Sequence, residues 1–277
     1  MTYVLLAVLC SVLVSVLLKL SKRYRIDIGQ AVAWNYLVAG ALVWWVLHPA
    51  TAPLQQARAQ WPVLAALGVL LPTIFLALGA SVQHAGIVRS DAAQRLSLLV
   101  PLMAAFTVFG QHPDRLHVLG AALGLLALAC MVWRSGGAGA AGWGYPLLVL
   151  LGFGVIDVLF KRVAATGLPL GSALLAVFTL ALLVAFAIEL VRRAPFSPAT
   201  LLGGVLLGAL NFGNILFYLR AHRALPGQPA LVFASMSLGV VMLGALVGVL
   251  LFNERLSRTN AIGLLLALPA IALLAQP

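Results

Sequence analysis

Ten stretches of mostly apolar residues recur along the chain, separated by short polar breaks. They run from Thr2 to Leu20, Gln30 to Leu47, Trp61 to Val82, Ala92 to Gly110, Leu116 to Trp133, Trp143 to Ala164, Leu168 to Glu189, Leu201 to Ala221, Gln228 to Phe252, and Asn260 to Ala275. A helix needs roughly 20 apolar residues to cross a hydrocarbon core of about 30 Å. These runs are too long and too apolar for barrel strands. Helices satisfy their own backbone hydrogen bonds, which is what a bilayer demands. The pattern predicts an all-α integral membrane protein of ten transmembrane helices, with no room for a soluble domain between them.

Composition agrees with lipid as the main solvent. Of 277 residues, 63% are hydrophobic and 8% charged, and mean hydropathy is +1.11. A soluble domain carries about 25% charged residues. The first segment has the length of a signal peptide but lacks a basic start and an A-x-A site, so it reads as a retained helix. Cys10 and Cys130 fall inside spans and read as small core residues, not as a disulfide, zinc or redox pair. The net charge of +11 sits at helix ends, where basic residues snorkel and set topology. No aromatic and basic groove suggests nucleic acid.

The chain repeats itself. Ser15-Val16-Leu17-Leu18-Lys19 matches Asp157-Val158-Leu159-Phe160-Lys161, and Gly29 then matches Gly171 at the same offset. Further on, Gly68 matches Gly208 and Ser97 matches Ser237. Phe109 matches Phe252, Arg115 matches Arg258, and Gly120 matches Gly263. Two halves emerge, residues 1–134 and 143–277, joined by a Gly/Ala-rich linker at 135–142. Five spans per half is odd, so the second half enters the membrane inverted. Inverted repeats are a recurring design of secondary transporters, with the substrate near the midplane between halves.

The sequence here resembles the drug/metabolite transporter superfamily, its EamA-like branch in particular. Ten spans in two five-span halves fit it. Leu251-Phe252-Asn253-Glu254-Arg255-Leu256-Ser257, followed by Asn260 and Gly263, is similar to the family's Gly-Glu-x-Leu helix end and glycine-bearing helix. Pro101 fits the family's proline, while Gln111 stands where an acid is expected. The resemblance implies a multi-pass protein of the cell's inner membrane that moves a small solute, outward, by proton coupling or exchange. It also implies that both termini lie inside. The charge count opposes that orientation. Loops after odd-numbered spans hold eleven of the 17 Lys and Arg residues, which places both termini outside by the positive-inside rule. Both arguments put the termini on one side.

Polar residues inside the spans are the candidate site. Asp157 lies in a strongly apolar run, where a carboxylate is costly unless it faces water, a partner or a proton. Lys161 is one turn later on the same face. The pair reads either as a proton- or substrate-binding acid with its partner or as a structural ion pair. Lys19 occupies the position equivalent to Lys161. The two lysines either face a shared cavity and attract an anionic or zwitterionic solute, or snorkel at their helix ends. Asn211, Asn214 and Tyr218 share one face of the eighth span and either line a substrate path or bond between helices. Asn35 poses the same choice. Ser15 aligns with Asp157 in the repeat. Ser11 lies one turn from Ser15, and Ser97, Ser235 and Ser237 are weaker candidates, because a hydroxyl can bond its own helix. Asp91 and Arg95 read as a local pair at the membrane interface. Gly204-x-x-x-Gly208 and Gly244-x-x-x-Gly248 have the spacing of close helix contacts. Pro72 reads as a possible hinge.

No catalytic constellation, metal-ligand spacing or phosphate-binding loop is present, so the reading is a transporter without a cofactor, not an enzyme. A flippase for a lipid or lipid-linked head group is the alternative within transport. An intramembrane enzyme or a structural membrane subunit are the rivals from other classes.

Overall fold

The computed structural model describes residues 2–50, 58–97, 99–100, 115–132, 144–165, 167–193, 195, 197–225, 229–254, 257–274 and 276; a few helical side chains, Lys161 among them, lie outside the described residues. The described residues form ten α-helices: α1 (Thr2–Leu20), α2 (Ile28–Leu47), α3 (Trp61–Ala85), α4 (Ile87–Leu96), α5 (Arg115–Val132), α6 (Gly144–Ala165), α7 (Leu170–Arg192), α8 (Pro198–Ala224), α9 (Pro229–Phe252) and α10 (Arg258–Leu274). Six of them are long and apolar enough to cross a membrane. Large apolar residues such as Leu5, Leu183 and Leu250 stand exposed around the bundle. In lipid these are solvated surface, not a defect.

Nine helices begin and end within a few residues of the apolar runs. The fourth differs. It starts at Ile87, five residues before the expected Ala92, and Ser97 closes its described length. Residues 101–114, with Pro101 and Gln111, lie outside the described residues. The helix starts early because Gly86 turns the chain at φ +92° directly after α3. That is a left-handed value that a side chain would resist. Hydropathy missed this start because α4 carries Arg89, Asp91 and Arg95 within one short helix. Pro72 does not end α3, which continues for three further turns.

The principal helix contacts map onto one another when each label is advanced by five. Helix α1 packs on α8 as α6 packs on α3, and α2 packs on α8 as α7 packs on α3. Helix α1 meets α9 as α6 meets α4. The pairs α2 with α7, α4 with α9, and α5 with α10 are their own counterparts.

Local contacts follow the same exchange. Gly29, at the start of α2, faces Glu189 and Arg192 at the end of α7; Gly171, at the start of α7, faces Leu47 and Pro49 at the end of α2. The Gln30 side chain donates to the Pro195 carbonyl at 2.9 Å, and Ser172 donates to the Ala50 carbonyl at 2.7 Å.

Close approach between α8 and α2 depends on glycine. A Cβ on Gly208 would stand 2.8 Å from the Asn35 carbonyl oxygen and 2.7 Å from the Val38 Cβ, and one on Gly204 would meet Trp34 and the backbone of Ala31. Overpacking of this kind costs typically about 1–3 kcal/mol. Gly208→Ala should therefore lower the thermal midpoint of the detergent-purified protein, while Gly144→Ala, whose Cβ meets nothing within 4 Å, should leave it unchanged. Equal midpoints for the two variants would refute this account of the α2–α8 contact.

Candidate functional site

The polar residues of the interior fall into two regions. One is an end of the bundle held by ion pairs; the other is a chamber.

The ion-paired end is organised around Glu254. Asn253, directly after α9, takes a left-handed φ of 51°, a conformation that asparagine tolerates better than most residues. The turn directs the Glu254 carboxylate onto the start of α4. Its two oxygens accept the Ile87 and Val88 backbone N–H groups at 2.8 and 3.2 Å. These donors have no intrahelical partner, and a negative charge there also opposes the helix dipole. The Lys19 ammonium, at the end of α1, lies 3.1 Å from Glu254 and donates to the Val82 carbonyl at 3.3 Å. The Asn-Glu pair at the helix end that resembles the family motif is thus a helix stop joined to a cap.

A second cluster lies at the same end. Asp27 caps α2 by accepting from Gln30 N–H at 3.0 Å, and Arg192 binds its two oxygens with both terminal nitrogens at 3.0 Å. Arg192 also donates to Glu189 at 2.6 Å. Partial burial alone would raise the Asp27 pKa, but hydrogen bonds from Arg192 and Gln30 and the Arg192 charge outweigh it, so the carboxyl titrates below its ordinary range.

The chamber lies toward the other end. It has a volume of about 520 Å³, within the roughly 300–1,000 Å³ usual for small-molecule sites. Its walls come from the last turn of α4 (Gln94, Arg95), from Ser97, and from the middle and later turns of α6 (Phe153, Asp157, Phe160). The start of α7, the later half of α8 (Asn214, Tyr218) and the first half of α9 (Met236, Ser237) complete it. A smaller cavity of about 220 Å³ shares Gln94, Asp157, Phe160 and Asn214 with it and reaches Ser11, Ser15, Tyr36 and Asn211.

Hydrogen bonds fix the walls. Ser15 donates to Asp91 at 2.7 Å and Arg95 donates to Ser11 at 2.9 Å. One turn separates the partners on both helices, so α4 is laced to α1 in an antiparallel zipper. Ser97 donates to Asp157 at 3.4 Å, and Asn211 donates to Asn35 at 3.1 Å. Ser81 donates to Ser90, which in turn donates to the Gly86 carbonyl.

Of the residues singled out from sequence, Asp157, Asn214 and Tyr218 line the main chamber, and Ser15 and Asn211 line its smaller extension. Asn35 stands behind Asn211, fully buried. Lys19 lines neither space; Glu254 holds it at the ion-paired end. The Lys161 side chain lies outside the described residues, so its pairing with Asp157 does too. The expectation of a local interfacial pair between Asp91 and Arg95 is corrected. Both sit inside the bundle and bond to separate serines of α1, and no ion pair joins them among the described residues. Sequence reasoning missed Arg95, Gln94 and Glu254 as interior polar groups. The available signal was Ser11 and Ser15, one turn apart on α1 and matched by Asp91 and Arg95, one turn apart on α4.

A bundle of apolar helices around a chamber of this size, lined among the described residues by Asp157, Arg95, Gln94 and Asn214, defines a polytopic membrane protein. The sequence profile of the EamA-like transporter family matches residues 1–133. An uncharacterised protein of Haemophilus influenzae is 40% identical over 274 residues, which cover 96% of this chain and 94% of that one. A crystal structure of a protein 18% identical in sequence shares the fold over 98% of this chain and 96% of its own, with a TM-score of 0.59. The chain belongs to the EamA-like transporter family, within the drug/metabolite transporter superfamily. The profile matches the first half, whereas the resemblance read from residues had its closest motif in the second.

Two outcomes test the ion-paired end. Glu254→Ala strands the part-buried Lys19 and uncaps α4, and loss of a side-chain helix cap costs about 0.5–2 kcal/mol. Its thermal midpoint should fall well below that of Lys19→Met, which removes the cation but keeps the cap. The Asp27 pair should weaken in acid. Its carboxyl titrates lower in the folded state than in the unfolded state, so its contribution is full above the unfolded value of about 3.9 and is lost as pH falls through the folded value. The wild type should lose more of its midpoint than Asp27→Asn as pH drops below about 4. Parallel pH profiles would contradict that assignment.

Proposed function

We propose that this chain is a secondary transporter that moves a small solute by alternating access between two inverted halves, residues 1–134 and 143–277, linked by 135–142. Both termini lie on one side of the cell's inner membrane. Support for the halves comes from the exchange pattern of helix packing and from the matched contacts at Gly29 and Gly171, Gln30 and Ser172. Related halves of opposite orientation can trade conformations and so expose one site to each side in turn. Charged clusters at one end and a chamber toward the other fit one member of such a cycle.

The single observation that carries the reading is the chamber with Asp157 in its wall. A carboxylate at membrane depth is costly, and in this setting marks a substrate or proton path. Asp157 binds the coupling proton, Ser97 orients it, and Asn211, Asn214 and Tyr218 contact the solute. Outward movement driven by proton entry or exchange is the reading that the family favours.

Asp157→Asn should abolish gradient-driven transport in proteoliposomes while leaving counterflow exchange, which needs no net proton movement. The variant should purify with a normal midpoint, because the amide keeps its bond from Ser97. Full gradient-driven transport by the folded variant would remove Asp157 from the coupling step.

A further inference from the structure

Among the described residues, the chamber holds a cation with which no acid forms an ion pair. The Arg95 guanidinium lines it and spends one terminal nitrogen on Ser11. Its Nε is buried and has no hydrogen-bond partner among the described residues. No carboxylate lies within ion-pairing distance of it among those residues. A guanidinium offers five N–H donors in a planar fork that matches a carboxylate, and it stays charged under all conditions. Asp91, one turn earlier on α4, acts on it electrostatically without pairing to it, its side-chain bond being from Ser15. A guanidinium at membrane depth that no carboxylate contacts directly is expensive. Ser11 is a neutral acceptor, so it orients the group without discharging it. Across the chamber stands Asp157, within electrostatic reach of Arg95 but hydrogen-bonded to Ser97. Between them the walls are apolar: Phe153, Phe160, Leu174 and Ile215.

We propose that Arg95 is the solute-binding cation of this transporter, and that the solute is a small organic acid with its carboxylate on Arg95 and an apolar body against Phe153 and Phe160. The assignment rests on the transport reading of the same chamber. It moves the role of anion attraction away from Lys19, which is already spent on Glu254. It also gives Asp157 a competitive part: ionised Asp157 and the solute carboxylate draw on the same cation, so removing the Asp157 charge strengthens solute binding.

The test uses the full chain in detergent and three probes with one apolar body and different heads: phenylbutyrate, phenylbutyramide and phenylbutylamine. Titration calorimetry should rank the carboxylate about tenfold or more above the amide, as charge-assisted bonds to a guanidinium exceed neutral ones, and the amine last. Arg95→Gln should bring the carboxylate down to the level of the amide. Arg95→Lys, which keeps the charge but loses the fork, should retain part of the preference and guards against a Gln variant that fails to fold. Asp157→Asn should tighten the carboxylate and leave the amide unchanged, a response that a purely structural Arg95 would not give. Failure of the wild type to prefer the carboxylate, or a preference undiminished in both Arg95 variants, overturns the proposal. Stronger competition by dioleoyl phosphatidate than by phenylbutyrate overturns its assignment to a water-soluble solute. Flux in proteoliposomes separates the two readings. Arg95-dependent binding without flux upholds the anion site and overturns transport, whereas flux that ignores the head group upholds transport and overturns the anion site.

Discussion

Glu254 is the contact on which the interior depends. In a bilayer, a buried helix start cannot take its acceptors from water, so the protein must supply them. Helix α4 begins next to α3 with only Gly86 between them, and Glu254 supplies acceptors to its first two N–H groups. Lys19 balances the charge. Because α4 is held at its start, Asp91 and Arg95 arrive opposite Ser15 and Ser11, and Arg95 and Ser97 arrive in the chamber wall. Three elements distant in sequence, the end of α1, the start of α4 and the turn after α9, meet at one carboxylate. A change there reaches the chamber residues Gln94 and Arg95 through about two turns of one helix.

The exchange pattern of the packing is closer than the chemistry that decorates it. Where α2 begins, Gly29 faces an ion-paired glutamate and arginine; where α7 begins, Gly171 faces a leucine and a proline. Asp27 caps α2 with its side chain, while Pro169 precedes α7 and offers none. Glu254 follows α9, while Gln111 holds the matching position in sequence. On the proposed repeat, the backbone geometry is shared and the charges are not. On the proposed alternating-access cycle, the two conformations are similar in packing but unequal in electrostatics. Ion pairs at an end exposed to water are worth little individually. The leverage lies in Glu254, whose carboxylate is largely buried and serves two helices at once.

The helices were legible in the sequence because one physical quantity, hydropathy over a window of about 20 residues, decides membrane insertion. The same quantity concealed α4. Its polarity moved the expected start to Ala92 and made Asp91 and Arg95 look interfacial. Their true environment is set by two serines on α1, some 80 positions earlier, and no local property records that pairing. Asp157 and the α8 amides were legible for the opposite reason. They interrupt strongly apolar runs, so their cost was visible without knowing their partners. Lys19 shows the limit of repeat logic. Its match with Lys161 is a matter of position, but its role is decided by Glu254, to which the first half offers no acidic equivalent.

The distribution of incomplete hydrogen bonding argues that the chamber is built to hold something. A polar network that serves only packing gains by closing, since each buried unsatisfied group costs about 1–3 kcal/mol. Among the described residues, most open valences gather around the cavities. Arg95 Nε, the Asn214 carbonyl oxygen and the Tyr36 hydroxyl belong to residues that line the two cavities. Asn35 Nδ2 and Asp91 Oδ2 stand one hydrogen bond behind, through Asn211 and Ser15. Away from the cavities, Glu189 Oε2 is open at the ion-paired end. Donors and acceptors left open around two adjoining cavities are worth keeping where water or a solute completes them. That pattern is a stronger argument for a binding chamber than its volume, because apolar bundles hold voids without any such chemistry.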